Sequence, residues 1–461
     1  MIKQLTTIPR YEAYKDSAVK WLCDIPQGWE TKRLKYLGYM YAGLAGKKGD
    51  DFSKEPKSNF SRFIPFTSIS TTVVVKQLYQ YVVVKQHEEQ NNVLFNDILF
   101  LMSSETLDDI GKCSIYKQNE ENLYLNSFCK GFRTTFKFAL PVYINYLLQS
   151  SYYRNYFGTV ARGFTRINLK QEYIKGALIP LPSSEEQTAI ANFLDQKTTQ
   201  IDQAIVIKEK QITLLKERKQ ILIQNAVTRG LNPDAPMRDS GVEWIGEIPA
   251  HWDIKRLRFL GNTQNGISAG ADYFGSGYPF VSYGDVYNNR ELPITVKGLA
   301  QSSDVDREQY SIKKGDVLFT RTSETIEEIG FASTCLTTIE NATFAGFLIR
   351  FRPKTKQLFD GYSKFYFNAP MLRQYFVKEM NLVIRASLSQ ELLKNLPVLL
   401  PPLDEQKTIY DYIENETTKI GKAIFLQQKQ IEKLKEYKTT LINSAVTGKI
   451  KVINQNVEGV Q

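Results

Sequence analysis

The sequence predicts an α+β protein in which one unit, a globular half of mixed structure followed by a long helix, occurs twice. Two observations predict this fold class. The stretch from Glu185 to Thr228 returns from Asp404 to Thr447 at a constant offset of 219 residues, because 405 − 186 and 446 − 227 are equal. In each half, short apolar or β-branched runs precede segments with helical spacing, a pattern typical of mixed α and β structure.

Both copies of the long stretch carry apolar residues at the a and d positions of a heptad. Such a seam predicts that the two helices pack on each other. The predicted helix-pairing residues are Leu194, Ile201, Ile205, Ile212, Leu215 and Leu222 in the first copy and Ile413, Ile420, Ile424, Ile431, Leu434 and Leu441 in the second. Prolines precede each helix and acids stand in its first turn, which marks the helix starts, and Gly230 and Gly448 are candidate stops.

Chain connectivity predicts the direction of the two helices. The second globular half begins where the first helix ends and finishes where the second helix begins. A domain of this size has a radius of gyration of roughly 15 Å, whereas a helix of some 40 residues is roughly 60 Å long. We therefore expect an antiparallel two-helix coiled coil that separates the globular halves, with an internal pseudo-twofold axis.

The repeat extends to the segment that leads into each globular half. Trp21-Leu-Cys-Asp-Ile-Pro-Gln-Gly-Trp29 returns as Trp244-Ile-Gly-Glu-Ile-Pro-Ala-His-Trp252, and Lys-Arg-Leu follows shortly after each copy. We therefore divide the chain into a first globular domain (1–183, with its lead-in at 1–30), a central helix (184–230), a second globular domain (231–402), a distal helix (403–450) and a tail (451–461).

Local patterns predict several elements inside the globular halves. Thr72–Val75 and Tyr81–Val84 are β-branched runs, and Asp97–Leu101 has the character of a short buried strand. Pro141–Phe157 and Tyr362–Phe376 have helical spacing and predict one helix each.

Composition limits the class of protein. The chain has 461 residues, of which 42% are apolar and 23% charged, as in globular proteins. No apolar run reaches the roughly 18 residues of a membrane span, and the N-terminus lacks a signal-peptide core, so we expect a cytoplasmic protein. Four scattered cysteines and two histidines predict no metal site. A net charge of +10 together with 12% aromatic residues favours a nucleic-acid partner.

Catalytic patterns are weak. Pro233-Asp234 followed by Asp253-Ile254-Lys255 formally satisfies a Mg²⁺ nuclease pattern, but Arg10 and Tyr11 stand at the first two positions in the other repeat. Asp272–Gly277 resembles a glycine-rich cofactor loop without the flanking strand and helix that such a loop needs. The chain therefore predicts a binding protein without catalytic residues, and a stand-alone Mg²⁺-dependent nuclease with two DNA-binding heads remains the alternative.

Basic and hydroxyl residues in each half are candidates for DNA contact, because phosphate contacts dominate such interfaces and arginine pairs bidentately with guanine. The candidates are Arg62, Lys112, Arg133, Arg162, Thr165, Arg166, Arg321, Ser323, Glu324, Arg352 and Arg385. Leu101-Met102 in one half corresponds to Thr320-Arg321 in the other, so the two halves would read different sequences. An alternative for Ser323-Glu324-Thr325 is that it caps a helix.

Taken together, these motifs resemble a known family. The Trp-x-x-x-Ile-Pro-x-x-Trp lead-in, the Glu-Gln helix start behind prolines, and the Ala-Val-Thr-Arg-Gly and Ala-Val-Thr-Gly-Lys helix ends are similar to specificity subunits of type I restriction-modification systems. The resemblance covers nearly the whole chain, twice. One departure from the internal repeat is Gly421, which stands where the first helix has Asp202.

The resemblance implies that the globular halves are target-recognition domains, each of which reads one half of a split sequence in double-stranded DNA. It implies two modification subunits and two restriction subunits as partners, and no membrane association. It places S-adenosylmethionine, ATP and Mg²⁺ in those partners, with no cofactor in this chain. The sequence does not reveal the DNA target, its spacer length or the methylated base.

Overall fold

The computed structural model describes residues 8–71, 73–75, 79–323, 329–379 and 386–452. The chain forms two compact units. Unit 1 contains Met1–Lys208 and Lys429–Gln461, and unit 2 contains Glu209–Gln428. Each unit therefore combines one globular half with segments of both long helices.

The secondary structure of unit 1 is mixed. Its strands are β1 (Tyr14–Lys15), β2 (Ile25–Pro26), β3 (Glu30–Arg33), β4 (Gly38–Ala42), β5 (Phe52–Ser53), β6 (Phe60–Ile64), β7 (Gln80–Val83), β8 (Ile98–Leu101), β9 (Ser103–Ser104), β10 (Cys113–Ile115), β11 (Tyr124–Leu125), β12 (Cys129–Thr134), β13 (Ile167–Asn168) and β14 (Leu178–Leu181). Its helices are α1 (Phe66–Ser70), α2 (Pro141–Gln149), α3 (Ser151–Val160), α4 (Gln171–Gly176) and the first part of α5 (Ser184–Arg229).

Unit 2 repeats this order with local changes. Its strands are β15 (Met237–Asp239), β16 (Glu247–Pro249), β17 (Asp253–Arg256), β18 (Gly261–Asn265), β19 (Phe274–Val281), β20 (Leu299–Ala300), β21 (Val317–Thr320), β22 (Thr322–Ser323), β23 (Ala332–Thr334), β24 (Thr343–Phe344), β25 (Leu348–Pro353), β26 (Ala386–Ser387) and β27 (Pro397–Leu400). Its helices are α6 (Tyr283–Tyr287), α7 (Asp304–Gln309), α8 (Asp360–Tyr366), α9 (Met371–Glu379), α10 (Gln390–Asn395) and the first part of α11 (Leu403–Val446).

One four-stranded antiparallel sheet forms the centre of each unit. In unit 1 the order is β10-β8-β12-β4, and in unit 2 it is β23-β21-β25-β18. The central strands β8 and β21 are buried along their whole length, which explains their continuous apolar sequences. A second sheet, β11-β6-β7-β5, is present in unit 1, and unit 2 has β20-β19-β24 in its place.

The two long helices run in opposite directions within unit 1. Lys438 on α11 donates to Asp202 on α5 at 2.7 Å, and Lys208 on α5 donates to Gln430 on α11. From Asp202 to Lys208 the residue numbers rise along α5, whereas those of their partners on α11 fall from Lys438 to Gln430. The two helices are therefore antiparallel, as chain connectivity predicts. Tyr143 donates to the carbonyl oxygens of both Pro180, just before α5, and Val446, at the end of α11.

Unit 2 repeats this tyrosine bridge. Tyr362 donates to the carbonyl oxygens of Leu399, just before α11, and of Val227, near the end of α5. Each unit thus joins the start of one long helix to the end of the other through a buried tyrosine hydroxyl.

A buried glutamine explains the duplicated Glu-Gln helix start. The Gln187 side chain donates to the carbonyl oxygens of Phe138 and Pro182, both at 2.9 Å, and accepts from the amide of Leu140 at 2.8 Å. Gln406 makes the equivalent bonds in unit 2. Because a buried amide must be hydrogen-bonded, each glutamine fixes the first turn of its helix to the globular half.

Each predicted glycine lies just beyond its long helix: Gly230 follows α5 directly, and Gly448 is two residues after the end of α11. Gly230 has φ +73° and Gly448 has φ +71°, the left-handed conformation that commonly terminates a helix. A side chain at Gly448 would also meet Pro26 at 2.3 Å, so the lead-in of unit 1 packs directly on this helix end. The hydroxyl of Tyr14 donates to the Gly448 carbonyl at 3.0 Å.

Three local predictions differ from the structure. The helix expected over Pro141–Phe157 is two helices, because the backbone extends at Ser150. The helix expected over Tyr362–Phe376 is also two, separated before Met371 by Ala369-Pro370. Val74 forms only an isolated bridge with Ile115 instead of a strand, and Thr72 lies outside the described residues. Strands β7 and β8 confirm the other two β predictions.

Candidate nucleic-acid interface

In unit 1, three segments meet beyond the end of β8. The amide of Met102 donates to the Phe128 carbonyl at 3.0 Å, and the amide of Leu169 donates to the Met102 carbonyl at 2.9 Å. Strand β13 pairs with β9. These backbone bonds assemble loop surface 1, which we define as Ser103, Ser104, Phe128, Phe164, Thr165 and Arg166.

A tight loop presents the most exposed side chains of loop surface 1. Arg162 and Asn168 exchange backbone hydrogen bonds of 3.0 and 2.8 Å, which close the loop between them. Gly163 has φ +144°, and a Cβ there would lie 2.0 Å from the Arg166 carbonyl oxygen, so the loop requires glycine. Its tip places Phe164, Thr165 and Arg166 in solvent, with Phe164 fully exposed.

Arg166 stacks on an exposed aromatic ring. Its guanidinium carbon lies 4.6 Å from the centroid of Phe128, which is a cation–π contact. Stacking restricts the orientation of the guanidinium plane while its N–H groups stay at the edge. This arrangement suits bidentate hydrogen bonding to a planar acceptor such as a guanine edge or a phosphate.

Unit 2 builds an equivalent surface on the same backbone frame. The amide of Arg321 donates to the Phe347 carbonyl at 2.9 Å, the amide of Leu388 donates to the Arg321 carbonyl at 2.7 Å, and β22 pairs with β26. We define loop surface 2 as Arg321, Thr322, Ser323 and Phe347, whose ring is 63% exposed.

The side chains of the two loop surfaces differ although their backbones agree. Met102 is buried in unit 1, whereas Arg321 at the same repeat position is only half-buried. Arg321 therefore adds an arginine to loop surface 2 where unit 1 has a buried methionine, whereas the repeat equivalent of Arg166 is Arg385, which lies outside the described residues. The frames are alike, and the side chains on them are alike at some positions and different at others.

A second pair of arginines, one in each unit, donates hydrogen bonds to the backbone of a turn. Arg154 donates to the carbonyl oxygens of Ile110 and Asp108, and Arg373 donates to those of Ile329 and Gly330. Burial lowers the pKa of Arg373 to about 10, still far above neutral pH, so the guanidinium remains charged. These arginines hold the turns that follow β9 and precede β23.

Arg133 and Arg352, two of the predicted DNA-contacting residues, have internal partners. Arg133 forms two hydrogen bonds with the buried carboxylate of Asp97, at 2.9 and 2.7 Å, and Arg352 does the same with Asp316 at 2.7 and 2.6 Å. The hydrogen bonds with Asp97 raise the pKa of Arg133. Because a buried carboxylate needs such a partner, the structure gives these two arginines a structural role.

Other candidates are also engaged within unit 1. Arg62 pairs with Glu120 at 2.9 Å, Lys112 pairs with Asp109 at 2.5 Å, and Arg162 donates to the carbonyl oxygen of Ala161 at 2.8 Å. The backbone of Ser323 pairs with that of Ala386, while Glu324 and Arg385 lie outside the described residues. The structure thus places Thr165 and Arg166 on loop surface 1, and Arg321 with the backbone of Ser323 on loop surface 2.

The predicted helix-pairing residues divide by burial. Those that are buried are Leu194, Ile201, Ile205, Ile413, Ile420, Ile431, Leu434 and Leu441, and those that are half-buried are Ile212, Leu215, Leu222 and Ile424. The exposed rings of Phe128 and Phe347 were missed in the sequence. The signal was present, because these two phenylalanines occupy the same repeat position at the offset of 219 residues.

The residues of the nuclease pattern do not form an acidic cluster. Asp234 lies in a turn where its amide donates to Asn232, Asp253 pairs with Leu400 in the β17–β27 ladder, and Lys255 donates to Gln357. In the described part of the chain, no group of three or more His, Cys, Asp or Glu side chains could hold a metal ion. Among the same residues, no helix combines the length and apolar character that crossing a membrane requires.

Comparison with known proteins gives two matches to one family model. The model, described as the type I restriction modification DNA specificity domain, matches residues 26–215 and 249–437. Both copies of the repeat are therefore recognised, and together they cover more than half of the chain.

Individual relatives span almost the same length. The chain is 26% identical over 406 residues to the type I restriction enzyme EcoKI specificity subunit of Escherichia coli K12, covering 85% of this chain and 82% of that protein. It is 27% identical over 446 residues to the putative type I restriction enzyme MjaX specificity subunit of Methanocaldococcus jannaschii, covering 93% and 95%.

Solved structures share the fold. A chain from a study of complex assembly and conformational transition of the type I R-M system matches with a TM-score of 0.71 at 16% identity, covering 92% of this chain and 99% of that chain. The HsdS subunit from Thermoanaerobacter tengcongensis matches with a TM-score of 0.55 at 17% identity, covering 92% and 98%.

Proposed function

The chain belongs to the family of type I restriction-modification DNA specificity subunits, and from this we propose that it selects the DNA sequence on which such a complex acts. The family membership and the two loop surfaces support this function together. No comparison and no cluster of acids in the described residues supports the alternative of a stand-alone nuclease.

We propose that each unit reads one half of a split target in double-stranded DNA. The observation that carries this proposal is the pair of loop surfaces, which share a backbone frame and differ at particular positions, above all where Arg321 in unit 2 replaces the buried Met102 of unit 1. Direct readout depends on which donors and acceptors face the base edges, so different side chains on one frame select different bases. In unit 1 the reading groups would be Arg166 and Thr165, and in unit 2 Arg321 and Thr322.

The exposed phenylalanines of the loop surfaces would contribute apolar contact. Phe128 orients Arg166 by stacking, and Phe347 lies beside Arg321 through the Arg321–Phe347 backbone bond. Aromatic and apolar side chains in a groove contact sugars and the thymine methyl group. The pair in each unit would thus combine one bidentate donor with one apolar surface.

Catalysis, in this proposal, resides in the partner subunits. The sequence carries no methyltransferase or ATPase motif, and its one nuclease-like pattern, Asp234 with Asp253 and Lys255, forms no acidic cluster. We therefore expect S-adenosylmethionine, ATP and Mg²⁺ to be bound by the modification and restriction subunits. The chain itself would bind no cofactor and would act in the cytoplasm, where the host DNA is.

Two copies of the modification subunit, and two of the restriction subunit, fit the duplication best. Val206 and Ile207 on α5 are 61% and 57% exposed, and their repeat equivalents on α11, Phe425 and Leu426, are 57% and 59% exposed. Adjacent exposed apolar pairs are candidate contact sites. Since one pair belongs to each unit, each would receive one copy of the same partner.

An activity test separates the proposal from the alternative. The purified chain should neither methylate nor cut DNA when given S-adenosylmethionine, ATP and Mg²⁺, whereas adding the modification subunits should produce methylation at one split sequence. Cleavage by the chain alone would support the nuclease and refute the proposal. The double variant Val206→Ser, Ile207→Ser should weaken assembly with the modification subunits, and the exposed pair Leu214→Ser, Ile221→Ser, which lacks an apolar repeat equivalent, is the matched control.

A further inference from the structure

Each unit carries a second basic surface, apart from its loop surface. We define distal patch 1 as Lys32, Arg33, Lys35, Tyr36 and Lys137, and distal patch 2 as Lys255, Arg256, Arg258, Phe259 and Lys356. The members correspond one to one in the repeat, and every position keeps its chemistry: four cations and one aromatic ring. None of these residues belongs to the loop surfaces.

Two chain segments form each patch, and backbone bonds join them. In unit 1 the amides of Thr135 and Phe136 both donate to the carbonyl oxygen of Leu37, at 2.9 and 3.1 Å. In unit 2 the amides of Lys354 and Thr355 donate to that of Leu260, at 2.8 and 3.4 Å. The turn after β12 or β25 is thereby held against the 3-10 turn that precedes β4 or β18.

Strand register places each distal patch at the far end of the central sheet from the loop surface. In unit 1, Cys129 pairs with Leu101 next to loop surface 1, whereas Thr134 pairs with Gly38 next to distal patch 1. In unit 2, Leu348 pairs with Thr320 and Pro353 pairs with Gly261. The strands β12 and β25 between the two surfaces have six residues each, about 20 Å at 3.3 Å per residue.

The patches are accessible. Tyr36 is 64% exposed and Phe259 is 66% exposed. In unit 2 the surface is a shallow groove of about 580 Å³ whose lining includes Lys255, Arg256 and Phe259.

Some cations of the distal patches form ion pairs with acidic side chains of the same unit, and others do not. Lys32 pairs with Glu30, and Arg258 pairs with Glu391. Arg33, Lys137, Arg256 and Lys356 are exposed, and the structure shows no side-chain hydrogen bond or ion pair from any of them to a described residue. Each patch thus offers at least two cations to an anionic partner.

The contrast between the repeats identifies the kind of partner. At the loop surfaces the repeat changes the residue chemistry at several positions, with Met102, Phe164 and Thr165 replaced by Arg321, Val383 and Ile384, whereas the distal patches keep their chemistry at all five positions. A phosphodiester backbone is the same at every base pair, so a site that binds it needs no variation. Lysine, which supplies three of the four cations of distal patch 1, is depleted at protein–protein interfaces but common in contacts with phosphate.

We propose that the distal patches bind the sugar–phosphate backbone of duplex DNA outside the recognised sequence, a site that rests on the DNA-binding function proposed above. A straight duplex bound to a loop surface would lie at the opposite end of the central sheet from the distal patch. The patch would therefore hold either flanking DNA that bends back or a separate duplex. Binding there would be independent of sequence and strongly dependent on salt.

The test uses the chain assembled with its modification subunits. The variants are Arg33→Gln with Lys137→Gln in unit 1 and Arg256→Gln with Lys356→Gln in unit 2. A control with the same loss of charge, Lys15→Gln with Lys20→Gln, changes two exposed lead-in lysines outside the patch. Affinity is measured against salt for a duplex limited to the split target, for the same target inside a much longer duplex, and for a long duplex without the target.

The patch variants should bind the short target like the wild type and bind both long duplexes more weakly, with the salt slope reduced by about 0.9 for each lost phosphate contact. Weakening only on the long duplex with the target indicates flanking DNA, and equal weakening on both indicates a separate duplex. Unchanged affinity of the patch variants for all three duplexes would overturn the proposal, and so would a loss of affinity for the short target as large as that for the long duplexes. A variant that no longer binds the modification subunits would also overturn it, because the patch would then contact an acidic surface of a protein partner. If the wild type did not prefer duplexes that contain the target over the duplex without it, the proposed function itself would be contradicted.

Discussion

At the scale of single residues, the two units surround an equivalent buried ion pair with different neighbouring side chains. Asp97 accepts from Arg133 and from the hydroxyl of Tyr41 at 2.6 Å, and a side chain at Gly131 would meet the Tyr41 ring at 2.0 Å. In unit 2, Arg350 replaces this glycine and bonds Gln264, which replaces the tyrosine. The acid and its arginine are kept while the neighbours change together, so the ion pair is structural.

This network predicts a separation between stability and DNA binding. Arg133→Leu removes the only cation that pairs with the buried Asp97 carboxylate among the described residues and should lower the free energy of unfolding by about 3–5 kcal/mol. Arg166→Leu, at an exposed loop position, should change it by no more than about 0.5 kcal/mol and weaken DNA binding instead. Chemical denaturation and a binding titration on both variants measure the two effects. A stable Arg133→Leu protein with impaired binding would restore Arg133 as a contact residue.

Arg321 gives the corresponding prediction for unit 2. If its guanidinium pairs with a guanine, Arg321→Ala should weaken that half-site by about 1–3 kcal/mol. The preference at the other half-site should stay unchanged, because Met102 occupies the equivalent position in unit 1. Competition binding with each half-site randomised in turn makes the measurement. Lost preference at both half-sites would show that the units do not read independently.

Sequence reasoning named Arg133 and Arg166 together as candidates for DNA contact and did not reveal the internal ion pair of Arg133. Arg133 and Arg166 look alike in the sequence, because both are cations next to aromatic or hydroxyl residues. What separates them is a carboxylate 36 residues away from Arg133 in the chain, buried by strand pairing. Long-range pairing of this kind is invisible without the register of β8, β12 and β4.

At the scale of elements, the long helices were predictable and the short ones less so. A heptad seam over some 40 residues is a strong periodic signal, and the limits of each helix are marked by prolines and acids at its start and by a glycine after its end. Pro141–Phe157 has the same apolar spacing on both sides of Ser150, so nothing periodic marks the break between α2 and α3. Val73–Val75 meets β10 at a single residue: the amide of Val75 donates to the Ile115 carbonyl at 3.0 Å, and the amide of Ile115 donates to the Val73 carbonyl at 3.1 Å. This contact makes one isolated bridge and no ladder.

The helix direction can be tested at one contact. Asp202 and Lys438 meet in unit 1, whereas Gly421 occupies the position equivalent to Asp202 on α11. In a protein without its native cysteines, the pair Asp202→Cys and Lys438→Cys should be joined efficiently by a short bifunctional maleimide. The matched control is Asp202→Cys with Gly421→Cys, which a parallel, in-register pair would bring together. Efficient linking of the control and not of the test pair would contradict the antiparallel arrangement.

At the scale of the whole molecule, the duplication itself makes a prediction. A fragment of residues 1–230 contains one lead-in, one globular half and one long helix, but it lacks the end of α11 that Tyr143 bonds at Val446. Val227 at the end of α5 is the repeat equivalent of Val446 and bonds Tyr362 in the same way. A second fragment can therefore supply the missing helix end, and we expect a twofold-symmetric dimer.

The fragment dimer should select an inverted repeat of the first half-site, because twofold protein symmetry is matched by palindromic DNA. Size measurement and selection from random DNA with the modification subunits present make the test. The fragment with Ile205→Lys, which places a charge in the buried seam, is the control and should stay monomeric. A monomeric parent fragment, or a dimer that selects a direct repeat, would contradict the symmetric pairing.

The central claim is that this chain, through two different loop surfaces, determines which DNA sequence is modified. The most direct measurement is a genome-wide map of methylated bases in cells that express the modification subunits with the wild-type chain, with Arg321→Ala, or with no chain. The account predicts one target of two defined blocks at a constant separation, relaxation of a single block by Arg321→Ala, and no methylation without the chain. A continuous motif, relaxation of both blocks, or the same map without the chain would contradict it.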